Sequence, residues 1–216
     1  MPVRLLIVDD HRVFGQGLEA VFGAEPDFEP TAISYPNQVI GLVTAQRPDV
    51  VIMDVRLGDV SGIDLTRQLM TIPAPPAVLV LTAYADVATA ISAVRAGAVG
   101  FVAKDASVEQ LVGAVRAVLA GGSWLPAELL GQLLDAYPGP AEAPQRKLIQ
   151  QLTAREREVL SLMVSGLDRA GIASRMCQSP HTVRTHIRNV TVKLDCHSAL
   201  EAVAVALRAG LRPELL

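Results

Sequence analysis

Leu5-Leu6-Ile7-Val8-Asp9-Asp10 is the stretch on which the fold turns: a short apolar run that ends in two carboxylates. The same form recurs three times. Val50-Val51-Ile52-Met53 precedes Asp54, Val78-Leu79-Val80-Leu81 precedes Thr82, and Phe101-Val102-Ala103 precedes Lys104. Each run reads as a strand buried on both faces, as in a parallel sheet covered by helices. In an open parallel sheet, ligands bind beyond the carboxyl ends of the strands. Residues far apart in sequence therefore converge on one pocket with three carboxylates, a hydroxyl and an ammonium. Such a pocket can bind a divalent cation and take up a phosphoryl group.

Outward from these runs, residues 1–120 alternate between strand and helix patterns. Strands are predicted at 3–8, 28–33, 50–54, 77–82 and 99–103, and helices near 11–22, 37–46, 62–70, 87–96 and 107–120. This alternation predicts an α/β flavodoxin-like doubly wound domain of five parallel strands in the order 2-1-3-4-5. Gly121-Gly122 stops the last helix, residues 125–137 read as one more short helix, and 138–145, with three prolines and a glycine, read as a linker. From Leu152 the pattern is all helical, with helices near 154–165, 168–176, 180–194 and 199–209. Thr153-Ala154-Arg155-Glu156 and Ser198-Ala199-Leu200-Glu201 are capping boxes, and Ser179-Pro180 is a serine cap with proline at the first helical position. The turn Cys177-Gln178-Ser179 gives helix-turn-helix spacing. The division is 1–121, a linker at 122–147 and a four-helix domain at 148–216.

Composition narrows the class. Half of the 216 residues are hydrophobic, and only 4% are aromatic. No apolar run approaches the roughly 20 residues of a membrane span. No signal peptide is visible, and the two cysteines match neither a disulfide framework nor a zinc pattern. These points predict a cytoplasmic protein with no membrane partner. The net charge of −3 hides an asymmetry: residues 146–216 carry 11 Lys/Arg against 6 Asp/Glu, a net +5, which leaves −8 for the rest. A basic second part suits an anionic polymer, most plausibly nucleic acid.

At these residues the chain resembles a two-component response regulator of the NarL/LuxR family. The receiver motifs are Ile7-Val8-Asp9-Asp10-His11, Met53-Asp54, Leu81-Thr82-Ala83 and Gly100-Phe101-Val102-Ala103-Lys104. The output motifs are 152–160 (LTAREREVL), 182–187 (TVRTHI) and Lys193-Leu194. The resemblance implies that Asp54 accepts a phosphoryl group from a sensor histidine kinase. It implies that Asp10, Asp54, Asp9 through water and the backbone carbonyl of Arg56 hold Mg²⁺ or Mn²⁺. Lys104 and Thr82 would meet phosphoryl oxygens, with Ala83 beside the threonine, and Phe101 would be the aromatic that turns inward as the threonine moves. Slow autodephosphorylation is expected of a regulator that is not an enzyme.

One loop departs from the family pattern. After Asp54 the family usually runs through Met-Pro toward a glycine, whereas this chain has 55–62 as VRLGDVSG. Gly62 is kept, but Gly58 holds the proline position and frees the loop. Arg56 adds a long cation at the pocket rim.

The helix near 180–194 is the recognition candidate. Arg184 and Arg188 are one turn apart on one face, with Thr185 beside them. Arginine can contact guanine bidentately, and threonine can offer a methyl to thymine. By resemblance Arg184, Thr185 and Arg188 face bases. Thr182, Ser179 and Lys193 meet phosphates, with His181 flanking. Val183, Ile187, Val190 and Leu194 should be core, and a packing or backbone role suits His186 better than metal binding. Gly171 stands where the family usually has glutamate, at a cost of about 1 kcal/mol in helix propensity. Gln178 replaces an apolar turn residue. Inverted half-sites on double-stranded DNA call for a homodimer in the active state. Val203, Val205 and Ala206 either form a seam for that dimer or close the domain's own core.

Two rivals remain. A phosphohydrolase of the haloacid dehalogenase type also uses an aspartyl nucleophile, but it needs a second Asp where this chain has Arg56. A receiver that works without phosphate keeps the fold and loses the switch. No P-loop or GxGxxG follows the first strand, so nothing supports a nucleotide-binding enzyme.

Overall fold

The computed structural model describes residues 2–83, 86–125, 148–196 and 198–211. The chain divides into two units, Met1–Leu119 and Ala120–Leu216. In the first unit the order is β1 (Val3–Val8), α1 (Arg12–Gly23), β2 (Phe28–Ile33), a 3₁₀ turn at Pro36–Gln38, and α2 (Val39–Gln46). β3 (Val50–Asp54), β4 (Arg56–Leu57), β5 (Val60–Ser61), α3 (Gly62–Leu69), β6 (Ala77–Thr82), α4 (Val87–Arg95), β7 (Gly100–Ala103) and α5 (Val108–Leu119) follow.

The main sheet runs β2-β1-β3-β6-β7, with every pairing parallel. Counting only its own strands, this is the expected 2-1-3-4-5 order. β3 is buried at all five positions and β1 at its last four, because helices cover both faces. β2 lies at an edge, and only Phe28 in it is buried. Register brings the strand ends level: Val8 pairs with Met53, Met53 with Val80, and Thr82 with Ala103. Asp9, Asp54 and Lys104 come next after Val8, Met53 and Ala103, and Thr82 itself ends β6.

The loop after Asp54 carries more structure than its glycine suggests. β4 and β5 form a small antiparallel ribbon in which Arg56 pairs with Ser61 and Leu57 with Val60. Gly58 turns the ribbon at φ +62°, a conformation that suits glycine. Its N–H donates to Asp10 Oδ2 at 2.9 Å, which ties the loop to the acidic cluster. Ser61 then caps α3 by accepting from the Asp64 N–H.

In the second unit α6 (Ala154–Val164), α7 (Arg169–Arg175), α8 (Pro180–Lys193) and α9 (Ala199–Arg208) follow one another. The helix expected at 125–137 and the linker expected at 138–145 lie almost wholly outside the described residues. The Thr153 capping box forms in both directions. Glu156, 4% exposed, also accepts from Lys193 Nζ at 2.7 Å. Burial works to raise its pKa, but Lys193 and the Thr153 N–H hold it below the usual value. One bond network thus caps α6 and anchors the end of α8.

Gly171 has a local reason. Its N–H donates to the capping Asp168 Oδ1 at 2.7 Å, and a Cβ there would press on that oxygen at 3.1 Å. Val183, Val190 and Leu194 are buried, and Ile187 packs partly buried against the cluster that holds Val183. Val205 and Ala206 are buried in the core with Leu160, Val190 and Ala202. They close the domain, as one of the two readings held, and are not surface for a seam.

Candidate functional site

Asp9, Asp54, Thr82 and Lys104 meet at the carboxyl end of the sheet because four parallel strands end there in register. Asp9 is 2% exposed, Thr82 3% and Asp54 5%. Lys104 Nζ lies 2.6 Å from Asp9 Oδ2 and 2.7 Å from Asp54 Oδ2. Its backbone N–H donates to the Thr82 carbonyl at 2.7 Å, and its ammonium stands 4.8 Å from the centre of the Phe14 ring. A backbone bond, a ring and two carboxylates therefore orient one long side chain.

The acids are placed by backbone donors. The His11 N–H donates to Asp9 Oδ1 at 2.8 Å, and the Arg56 N–H reaches Asp54 Oδ1 at 3.4 Å. Gly62 lets α3 start directly against Asp54, where any Cβ would overlap the Asp54 carbonyl oxygen. Phe101 is fully buried, and Ala83 is exposed beside Thr82.

Burial pushes the Asp54 carboxyl above its ordinary pKa, and the Lys104 ammonium only partly opposes this. Burial disfavours the Lys104 ammonium too, but Asp54 and Asp9 outweigh it and raise its pKa. An acid whose folded pKa is raised destabilises the fold while ionised. That penalty is present above the folded pKa and is relieved as pH falls through it. Asp54→Asn is therefore expected to raise the thermal midpoint by several degrees near neutral pH without divalent ions. The gain should shrink under acid conditions. Melting curves at two pH values check this, and a lower midpoint for the variant at neutral pH contradicts it.

The donor set fits a hard cation. One donor atom each from Asp9, Asp10, His11 and Asp54 lies within 4.8 Å of the others. Asp10 Oδ1 is buried and accepts no hydrogen bond. Carboxylate oxygens grouped in this way match the oxygen shell of Mg²⁺.

In the second unit Arg184, Thr185, Arg188 and His181 are exposed along α8. Ser179, Thr182 and Lys193 are less available. Ser179 Oγ accepts the Thr182 N–H at 3.1 Å and lies 2.9 Å from Thr182 Oγ1, so these two serve the helix cap. Lys193 Nζ is held by Glu156. Sequence reasoning missed the placing roles of His11, Phe14, Gly58 and Gly62. Only their nearness to Asp9–Asp10 and Asp54 along the chain marks them.

Comparison with known proteins agrees with both halves. Residues 5–116 match the response regulator receiver domain, and residues 150–206 match the luxR family of bacterial regulatory proteins. The DNA-binding transcriptional activator DevR/DosR of Mycobacterium tuberculosis is 34% identical over 205 residues, covering 94% of each chain. The transcriptional regulatory protein DegU of Brevibacillus brevis is 29% identical over 222 residues, covering 96% of this chain and 94% of that one. A crystal structure of a LuxR-family two-component response regulator from Aurantimonas sp. SI85-9A1 aligns with TM-score 0.59 at 27% identity. It covers 63% of this chain and 99% of its own. The strand order, the two matched domains and relatives aligned over nearly their whole length agree: this chain belongs to the NarL/LuxR family of two-component response regulators, a transcriptional regulator rather than an enzyme.

Proposed function

We propose that this chain is a phosphorylation-controlled DNA-binding regulator in which Asp54 is the phosphoacceptor. The observation that carries the reading is the convergence of Asp9, Asp54 and Lys104 within salt-bridge distance at the end of the parallel sheet. Residues 1–121 act as receiver, 122–147 as linker and 148–216 as output domain.

The phosphoryl donor is a phosphohistidine on a sensor kinase. An Asp54 carboxylate oxygen attacks phosphorus, the P–N bond breaks, and the histidine leaves with its electron pair. Water later attacks the acyl phosphate and releases inorganic phosphate. A carboxylate is a weak nucleophile, so positioning and charge neutralisation carry the step. Asp9, Asp10, Asp54 and the Arg56 carbonyl would hold a divalent cation, which would supply part of that neutralisation. Lys104, freed from Asp54 Oδ2 as that oxygen bonds to phosphorus, turns its charge to a phosphoryl oxygen. Thr82 donates to another, and Phe101 follows the threonine.

On DNA, α8 enters the major groove with Arg184, Thr185 and Arg188 toward bases and His181 at the flank. Ser179, Thr182 and Lys193 contribute phosphate contacts only where their internal bonds allow. Two copies bind inverted half-sites as a homodimer when phosphorylated. Selection from random duplexes by the phosphorylated protein tests this, and enrichment of an inverted repeat is expected. Arg184→Ala and Arg188→Ala should each weaken the selected site by about 1–3 kcal/mol and relax one base position. Equal weakening on all sequences contradicts base reading by that arginine.

A further inference from the structure

Phe14 stands at the phosphoryl site, yet the chemistry described so far gives it no part. It is the third residue of α1 and is partly buried. Its ring centre lies 4.8 Å from Lys104 Nζ, the ammonium that also meets Asp9 Oδ2 at 2.6 Å and Asp54 Oδ2 at 2.7 Å. The Lys104 side chain is only 15% exposed, so water weakens the pull of the ring face little.

One acid places both the ring and the ammonium. Asp9 accepts the His11 N–H at Oδ1, one residue before α1 begins, and meets Lys104 through Oδ2. The His11 carbonyl then accepts the Gly15 N–H at 3.0 Å, which closes the first turn of α1 around Phe14. A Cβ on Gly15 would stand 4.0 Å from Asp9 Cβ, so this turn lies close against the acid.

These contacts do not change together during the transfer. Beforehand, two carboxylates share the ammonium. As Asp54 Oδ2 bonds to phosphorus, its negative charge is spent in the new bond, and the ammonium turns to a phosphoryl oxygen. Asp9 and the Phe14 ring stay in place. An interaction speeds a step only where it is stronger in the transition state than before it. The ring meets that condition, because its share of the ammonium grows when one carboxylate is spent. Without it, one carboxylate alone would hold a long, flexible side chain at that moment.

We propose that, with Asp54 as the phosphoacceptor, Phe14 is a positioning residue for the transfer. Its ring face keeps the Lys104 ammonium at the pocket while the Asp54 contact is exchanged for a phosphoryl oxygen.

Phosphoryl uptake by the full-length protein from a small acyl phosphate with Mg²⁺, followed by intact mass, tests this. The native chain is compared with Phe14→Leu, Phe14→Tyr and a chain with pentafluorophenylalanine at position 14, which keeps the ring's shape and reverses the sign of its face. Phe14→Leu and the fluorinated ring are expected to slow uptake about threefold to tenfold, with Phe14→Tyr within about twofold of native. Packing alone predicts native uptake with the fluorinated ring. A native rate there overturns the proposal, and that chain decides if Phe14→Leu fails to fold. Without metal, the Lys104 ε-methylene protons should resonate upfield in the native protein and at their ordinary position in Phe14→Leu. Ordinary shifts in the native protein also overturn the proposal. No uptake by the native chain, or uptake that survives Asp54→Asn, removes the phosphoacceptor reading and the proposal with it. Uptake confined to Asp54 but indifferent to the ring removes only the role of Phe14.

Discussion

Gly62→Ala is expected to destabilise the receiver by about 3 kcal/mol and to abolish phosphoryl uptake. Alanine normally improves a helix by about 1 kcal/mol over glycine, so this is a reversal of sign that only the surroundings explain. The added Cβ would overlap the Asp54 carbonyl oxygen and stand 3.1 Å from Met53 Cγ. Neither side can give way easily. Gly62 N–H donates to the Val55 carbonyl at 2.9 Å, and Val55 N–H donates to the Leu81 carbonyl at 3.3 Å. Relief therefore means moving the backbone that carries Asp54. Gly41, exposed in α2 with nothing within 4 Å of its would-be Cβ, is the control. Gly41→Ala should raise the thermal midpoint slightly. Circular dichroism melts of the two variants check the contrast, and similar midpoints contradict it.

Lys104→Ala is expected to cost about 3 kcal/mol near neutral pH, because it leaves two buried carboxylates without their counter-ion. The size of the effect follows from where the ammonium stands, 2.6 Å from Asp9 Oδ2 and 2.7 Å from Asp54 Oδ2. Burial already holds the Asp54 pKa high, and Lys104 is what opposes it. Without Lys104 that pKa rises further, and the penalty of the ionised form grows. The penalty is present above the folded pKa and fades as pH falls through it, so the gap between variant and native protein should narrow on acidification. The ammonium's own raised pKa adds stability present below its unfolded value and lost only as pH rises through the folded one, at the alkaline end. Asp54→Asn and Lys104→Ala should thus shift stability in opposite directions. Urea unfolding of both near neutral pH and in mild acid is the check. A Lys104→Ala loss that does not change with pH contradicts the electrostatic account.

Four of the five strands were legible because buried parallel strands are continuous apolar runs, and Asp9, Asp54, Thr82 and Lys104 stand at their ends; β2, at the edge, lacks this pattern. Four of the five strands keep their predicted bounds, and β7 starts one residue late at Gly100. The β4–β5 ribbon was not legible, since two-residue strands carry no periodicity. Nor was the bond from Gly58 to Asp10, which joins loops 48 residues apart. In the output domain the helical pattern marked the exposed arginines. It did not show that Lys193 is drawn to Glu156, because that partner lies on another helix. Small apolar residues such as Val205 and Ala206 suit a core and a seam equally well by type, and only packing separates the two.

The most direct measurement is the intact mass of the protein after incubation with Mg²⁺ and a small phosphodonor, beside Asp54→Asn. A gain of one phosphoryl group by the native chain and none by the variant is the expected result. A gain by both, or by neither even with a sensor kinase supplied as donor, contradicts Asp54 as the switch and leaves a receiver that works without phosphate.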